Sequence, residues 1–172
     1  MSGKRLALLA SVPAIIAMVA LLAVSALAAV SVGDKAPNFT LDSINGSATS
    51  LSSVTDKPTL LVFWASWCPH CQRELPMLQD IYKDLHSKGM NAMGVSVDDN
   101  IGSAKSFIQS SSITFPNVYA GNDKGMGVVQ DYSVRGVPTI FILGKGGVVK
   151  AKYEGEVDGS TIRQQFAKLG VK

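Results

Sequence analysis

Leu60-Leu61-Val62-Phe63-Trp64-Ala65-Ser66-Trp67-Cys68-Pro69-His70-Cys71 is the stretch on which the reading of this chain turns. Thr59 to Trp64 is a nearly continuous apolar run, too short for a helix and bounded by Lys57-Pro58. It reads as a strand buried on both faces. Two cysteines follow it, the only two in the 172-residue chain, spaced so that a helix begins between them. Pro69 suits a first helical position, where its missing N–H is not needed.

A thiol attacks a disulfide only as the thiolate, so a redox cysteine needs surroundings that favour negative charge. Cys68 sits where unpaired backbone amides and the positive end of a helix dipole face its sulfur. His70 can add a donor, or a positive charge when protonated. Cys71, deeper along the helix, is placed to resolve a mixed disulfide formed at Cys68. An inert bridge between the two would close so small a ring that it would constrain the unfolded chain little. A zinc site is geometrically poor, because His70 lies between the cysteines and His86 is four turns along the helix. Haem attachment needs histidine directly after the second cysteine, where this chain has Gln72.

Outward from this centre, Cys68 to about Lys88 carries apolar residues at helical spacing (Leu75, Leu78, Ile81, Tyr82, Leu85), with Pro76 inside and Gly89 at its end. Strands are expected over Met90–Val97 and Phe115–Tyr119, a helix over Ser103–Ser110, a glycine-rich turn over Gly121–Gly125 and a brief helix over Gly127–Tyr132. Thr139–Leu143 and Val148–Tyr153 read as a hairpin, and Ser160–Leu169 as a last helix capped by Asp158 or Ser160. Before the central strand, a short strand ending near Leu41 and another near Thr49–Leu51 flank a turn at Asn45-Gly46. This order predicts an α/β fold: a central mixed sheet with helices on both faces and an N-terminal β-hairpin.

The formal charge is +3, but Lys4 and Arg5 account for two of the 16 basic residues, leaving 14 against 13 acidic ones over residues 29–172. No basic stripe for nucleic acid emerges. Leu6 to Val32 contains no charged residue. As a helix it would span about 40 Å, enough to cross a bilayer. Ala26-Leu27-Ala28 is a small-residue site where a signal peptidase could cut. Residues 1–28 therefore read as either a signal peptide or an N-terminal membrane anchor, and residues 29–172 as one domain outside the cytoplasm.

Phe63-Trp64-Ala65-Ser66-Trp67-Cys68-Pro69-His70-Cys71, with Pro76 five residues beyond, resembles the active-site strand and helix of the thioredoxin superfamily. Tyr132-Ser133-Val134-Arg135-Gly136-Val137-Pro138-Thr139 is similar to its cis-proline segment. Gly33-Asp34-Lys35-Ala36-Pro37-Asn38-Phe39-Thr40-Leu41 and Cys71-Gln72-Arg73-Glu74-Leu75-Pro76 narrow the resemblance to the extracytoplasmic TlpA-like and ResA-like branch, related to the AhpC/TSA redoxins. It covers about residues 32–170.

The resemblance implies a thioredoxin-like fold with a central βα insertion, and a monomeric soluble domain exchanging disulfides with protein substrates. It implies a membrane electron-transfer partner, and no cofactor or metal beyond the Cys68–Cys71 pair. Pro138 would be cis and packed against the Cys68 sulfur, the Val137 backbone would pair with an extended substrate, and Trp67 could give that substrate an apolar platform. Reduction of protein disulfides, as in cytochrome c maturation, is the leading expectation.

Two departures matter. Thioredoxins carry a buried Asp six residues before the first cysteine, and Val62 stands there. Glu74, three residues after Cys71 on the same helical face, is a candidate replacement, although a carboxylate near a helix N-terminus is also favoured on electrostatic grounds alone. The Pro69-His70 pair is that of oxidising DsbA-like proteins, which makes thiol oxidation the alternative direction. A peroxiredoxin-type peroxidase would need Thr or Ser at position 65 and Pro at 61, where Ala65 and Leu61 stand. A copper-binding module would use the two cysteines alone.

Overall fold

The computed structural model describes residues 29–172. The leader, read above as signal or anchor, lies outside the described residues. Among those described, no helix is long and apolar enough to cross a membrane.

The fold is built on strand β3 (Thr59–Trp64), every residue of which is buried. It lies mid-sheet in the order β5-β4-β3-β6-β7, parallel to β4 (Asn91–Ser96) and antiparallel to β6 (Thr139–Leu143). Strand β5 (Asn117–Tyr119) extends the parallel side, and β7 (Val149–Glu154) the antiparallel side. Side chains alternate across a strand, so β3 feeds two cores. Leu60, Val62 and Trp64 pack with Leu75, Leu78 and Ile81 of helix α1 (Pro69–His86) and with Ile162 and Phe166 of the last helix. Leu61 and Phe63 face Phe39, Leu41, Tyr132 and Phe141. Burial of each such large side chain is worth about 1.5–3 kcal/mol, which is why the run is apolar from Leu60 to Trp64.

Helix α2 (Ile101–Ser110) follows β4, α3 (Asp123–Asp131) follows β5, and α4 (Gly159–Lys168) closes the chain. Asp158 is the cap of α4, its Oδ1 accepting from the Ser160 amide at 2.7 Å. The glycine-rich turn expected over Gly121–Gly125 is instead partly helix. Asn122 caps α3 by accepting from the Gly125 amide at 2.8 Å. Gly125 is there for close packing, since a Cβ would lie 2.1 Å from the Ala120 Cα. Likewise α2 starts two residues earlier than expected, because Asn100 caps it through the Gly102 amide at 2.6 Å.

The N-terminal hairpin, β1 (Thr40–Asp42) with β2 (Ala48–Ser50), forms its own small sheet. The segment carrying it straps both sides of the main sheet, with Lys35 bridging Val148 beside β7 and Ser43 bridging Val118 of β5. Tyr132 pins it from below, its hydroxyl donating to the Pro37 carbonyl at 2.7 Å while its ring packs against Phe39, Phe63 and Phe141.

Candidate active site

The register brings three chain segments to one end of the sheet. Trp64 at the end of β3 pairs with Ser96 at the end of β4, and Phe63 pairs with Thr139 at the start of β6. The Cys68 loop, the Asp98 loop and the segment before β6 therefore meet, at the carboxyl ends of the parallel strands where α/β sheets place their sites.

Cys68 is the N-cap of α1, in extended backbone with Pro69 directly after it. Its Sγ accepts from the Cys71 amide at 3.4 Å and donates to the Val137 carbonyl at 3.3 Å. The Val137–Pro138 peptide bond is cis. Both cysteines are thiols in this structure. Cys68 is 4% exposed and Cys71 fully buried, so only the former has an edge open to an incoming sulfur. Burial pushes the Cys71 thiol well above its ordinary range; the Ala65 backbone opposes that, while Cys68 and Asp98 add to it.

Glu74 is buried at 4% exposure, and its Oε1 accepts from the Val157 amide at 3.3 Å. Burial holds its carboxyl above the usual carboxylate range, with the Val157 bond opposing and the Glu156 charge adding. It is therefore not an ordinary solvated helix-end carboxylate. Trp67 is 62% exposed and, with Met126, Val129, Val134, Val137 and the charged Asp99 and Arg135, lines a mostly apolar groove of about 270 Å³. Trp64, in contrast, is core, its Nε1 donating to the Asn117 Oδ1 at 2.9 Å.

His70 is drawn sideways. Its Nδ1 lies 2.8 Å from the Glu156 carboxylate on the β7–α4 loop, and Arg73 closes a bidentate pair with the same carboxylate at 2.7 and 3.1 Å. Arg73, first, and His70 hold the Glu156 carboxyl down to about 2. His86 lies at the far end of α1, its Nδ1 3.0 Å from the Met90 carbonyl.

Asp98 is the principal residue that sequence reasoning missed. It is 1% exposed, and accepts from the Ser66 amide at 3.0 and 3.1 Å, the Ser66 hydroxyl at 2.5 Å and the Ser96 hydroxyl at 2.8 Å. Ser66 is held a second way, its carbonyl accepting from the Gln72 side chain at 2.7 Å. The available signal was an acidic doublet, Asp98-Asp99, at the end of a core strand neighbouring the cysteine strand. Chemically, the arrangement offers one sulfur at a helix N-terminus, a second beneath it, and a groove lined by Trp67, which precedes the first sulfur's residue, and by Val137, whose carbonyl touches that sulfur.

Residues 32–152 match the AhpC/TSA family. The thiol-disulfide oxidoreductase ResA of a Bacillus cereus strain is 31% identical over 127 residues, covering 74% of this chain and 72% of that protein. The ResA of Bacillus subtilis is 32% identical over 134 residues, covering 78% and 73%. Among solved structures, the thioredoxin domain of a thiol-disulfide oxidoreductase from Bacteroides vulgatus superposes with a TM-score of 0.73 at 27% identity, covering 79% of this chain and 97% of that one. With a dithiol at a helix start on a thioredoxin-like sheet, this chain belongs to the AhpC/TSA family and is a protein thiol-disulfide oxidoreductase.

Proposed function

We propose that the chain reduces disulfides of protein substrates outside the cytoplasm through its Cys68-Pro69-His70-Cys71 site, apocytochrome cysteines being one such substrate class. The observation that carries the site assignment is the placement of Cys68 Sγ 3.3 Å from the carbonyl of Val137, a residue that lines the groove, with Cys71 fully buried.

The reaction follows from that geometry. An extended substrate segment pairs with the Val137 backbone and lays an apolar side chain between Trp67 and Met126. The Cys68 thiolate attacks one substrate sulfur, forming the mixed disulfide and expelling the other sulfur as a thiolate that takes up a proton. Cys71 then gives its proton to a base and attacks Cys68 Sγ, forming the Cys68–Cys71 disulfide and releasing the second substrate thiol. The substrate gains two electrons and two protons, and the enzyme loses them. Glu74, buried on the Cys71 face of α1 with a raised carboxyl, is the proposed base. A membrane protein outside this chain would restore the dithiol.

Thiol oxidation runs the same steps backwards, so direction is a matter of potential. Cys71→Ala keeps Cys68 but cannot release what it captures. In an extracytoplasmic extract it should accumulate mixed disulfides that dithiothreitol dissolves, and a Cys68→Ser/Cys71→Ala variant should accumulate none. Equal trapping by both would refute the assignment of Cys68 as the attacking sulfur.

A further inference from the structure

Positive charge beside a redox cysteine stabilises its thiolate, hence the dithiol form, and makes the pair a stronger oxidant. The first two turns of α1 carry two side chains able to supply it, His70 and Arg73, near a helix end that is already electropositive. Neither is left free in the structure. Glu156 reaches them from a loop more than 80 residues away in sequence, taking the Arg73 guanidinium with both oxygens and the His70 Nδ1 with one; Arg73 Nη2 and His70 Nδ1 are themselves 3.0 Å apart.

We infer that Glu156 is a positioning residue for the redox reaction: by gathering His70 and Arg73 onto its carboxylate, it offsets their positive field near Cys68 and makes the cysteine pair more reducing than it would otherwise be. The inference rests on the exchange reaction proposed above and concerns a bias on its direction. For either protonation state of His70, held the same in parent and variant, removing Glu156 adds one positive charge to the cluster. With Glu156 ionised, the three side chains together carry no charge when His70 is neutral and one positive charge when it is protonated. Without Glu156, Arg73 alone contributes one positive charge and a protonated His70 a second. Making the Glu156→Gln change on a His70→Asn background removes any compensating loss of the imidazole proton, and the same shift is expected there.

The cluster's contribution to folding is small, because His70 and Arg73 are each 59% exposed and Glu156 36%. Its effect on the cysteines is separable from stability for that reason. Purified protein, equilibrated at neutral pH and low salt in glutathione buffers, gives the ratio of dithiol to disulfide directly. Glu156→Gln should shift that equilibrium toward the dithiol by about two- to fivefold, the range that exposed charge pairs produce, with unchanged thermal stability. At about 1 M salt, where the screening length is about 3 Å, the shift should largely vanish. Arg73→Met should move the equilibrium the opposite way. An unchanged constant in Glu156→Gln, or a shift toward the disulfide, would overturn the role of Glu156 alone. Absence of any Cys68-dependent equilibrium with glutathione would overturn both that role and the exchange reaction.

Discussion

Removing the Asp98 carboxylate should loosen the whole cysteine loop. Ser66 stands two residues before Cys68, and its amide and hydroxyl both donate to Asp98, as does the Ser96 hydroxyl. Three bonds to a charged acceptor, at about 1.5–3 kcal/mol each, amount to about 5–9 kcal/mol of gross interaction. Burying the carboxylate costs several kcal/mol of that. Asp98→Ala should therefore lose about 2–4 kcal/mol of stability, or about 10 °C in Tm for a domain of this size. The serine hydroxyls can turn to new partners, whereas the Ser66 amide cannot, so Asp98→Asn, which keeps an acceptor for that amide, should lose only about 1 kcal/mol. Asp98 also helps hold the Cys71 thiol up. In Asp98→Asn, resolution of a preformed mixed disulfide should therefore begin at lower pH than in the parent. Urea unfolding of the dithiol form gives the stabilities, and single-turnover release of a fluorescent thiol gives the pH profile. A loss under about 1 kcal/mol in Asp98→Ala, or equal losses in the two variants, would refute the reasoning.

Two further outcomes are expected. Glu74 is an acid whose carboxyl is raised on folding, so the native state binds its proton more readily than the unfolded chain, and stability falls as pH rises from the ordinary glutamate range through the raised value. Glu74→Gln should thus be more stable than the parent at neutral pH, the difference closing below the ordinary range, while its resolving step slows; urea titrations across pH together with trapping kinetics test both halves. Gly94→Ala would place a methyl 1.9 Å from Asn117 Oδ1 and 2.9 Å from Trp64 Nε1, displacing the buried Asn117 side chain from the indole. The lost bond and the overpacking together should cost about 2–4 kcal/mol in urea unfolding, and no loss would show that the Asn117 side chain moves freely.

What could be read before the structure was whatever depends on neighbours in sequence. Thr59–Trp64 announces itself because burial on both faces demands six suitable residues in a row. Helix α1 does so because Pro69, the apolar spacing and Gly89 mark its start, face and end. The two cysteines are legible for the same reason, lying within one turn of each other. Only the start of helix α3 was obscured, because Gly121 and Gly125 look like turn residues, whereas Gly125 serves a close contact with Ala120. Asp98 and Glu156 were illegible because they meet Ser66, His70 and Arg73 only through the sheet, at separations of 32, 86 and 83 residues. For Glu74, position on the helix was readable but burial was not, since the Val157 segment that covers it comes from the far end of the domain.

The strap formed by the N-terminal segment has a consequence for the layout of the domain. Gly33 and Ala36 bond to Val149 and Gly147, and Lys35 to the carbonyl of Gly146, all at the β6–β7 turn. That turn is at the Thr59 end of β3, since Leu143 pairs with Thr59, and the cysteines follow the Trp64 end. One strand of six residues, about 20 Å, thus separates the place where the chain enters the domain from the place where it reacts. The described residues thus begin at the pole of the sheet opposite the cysteines.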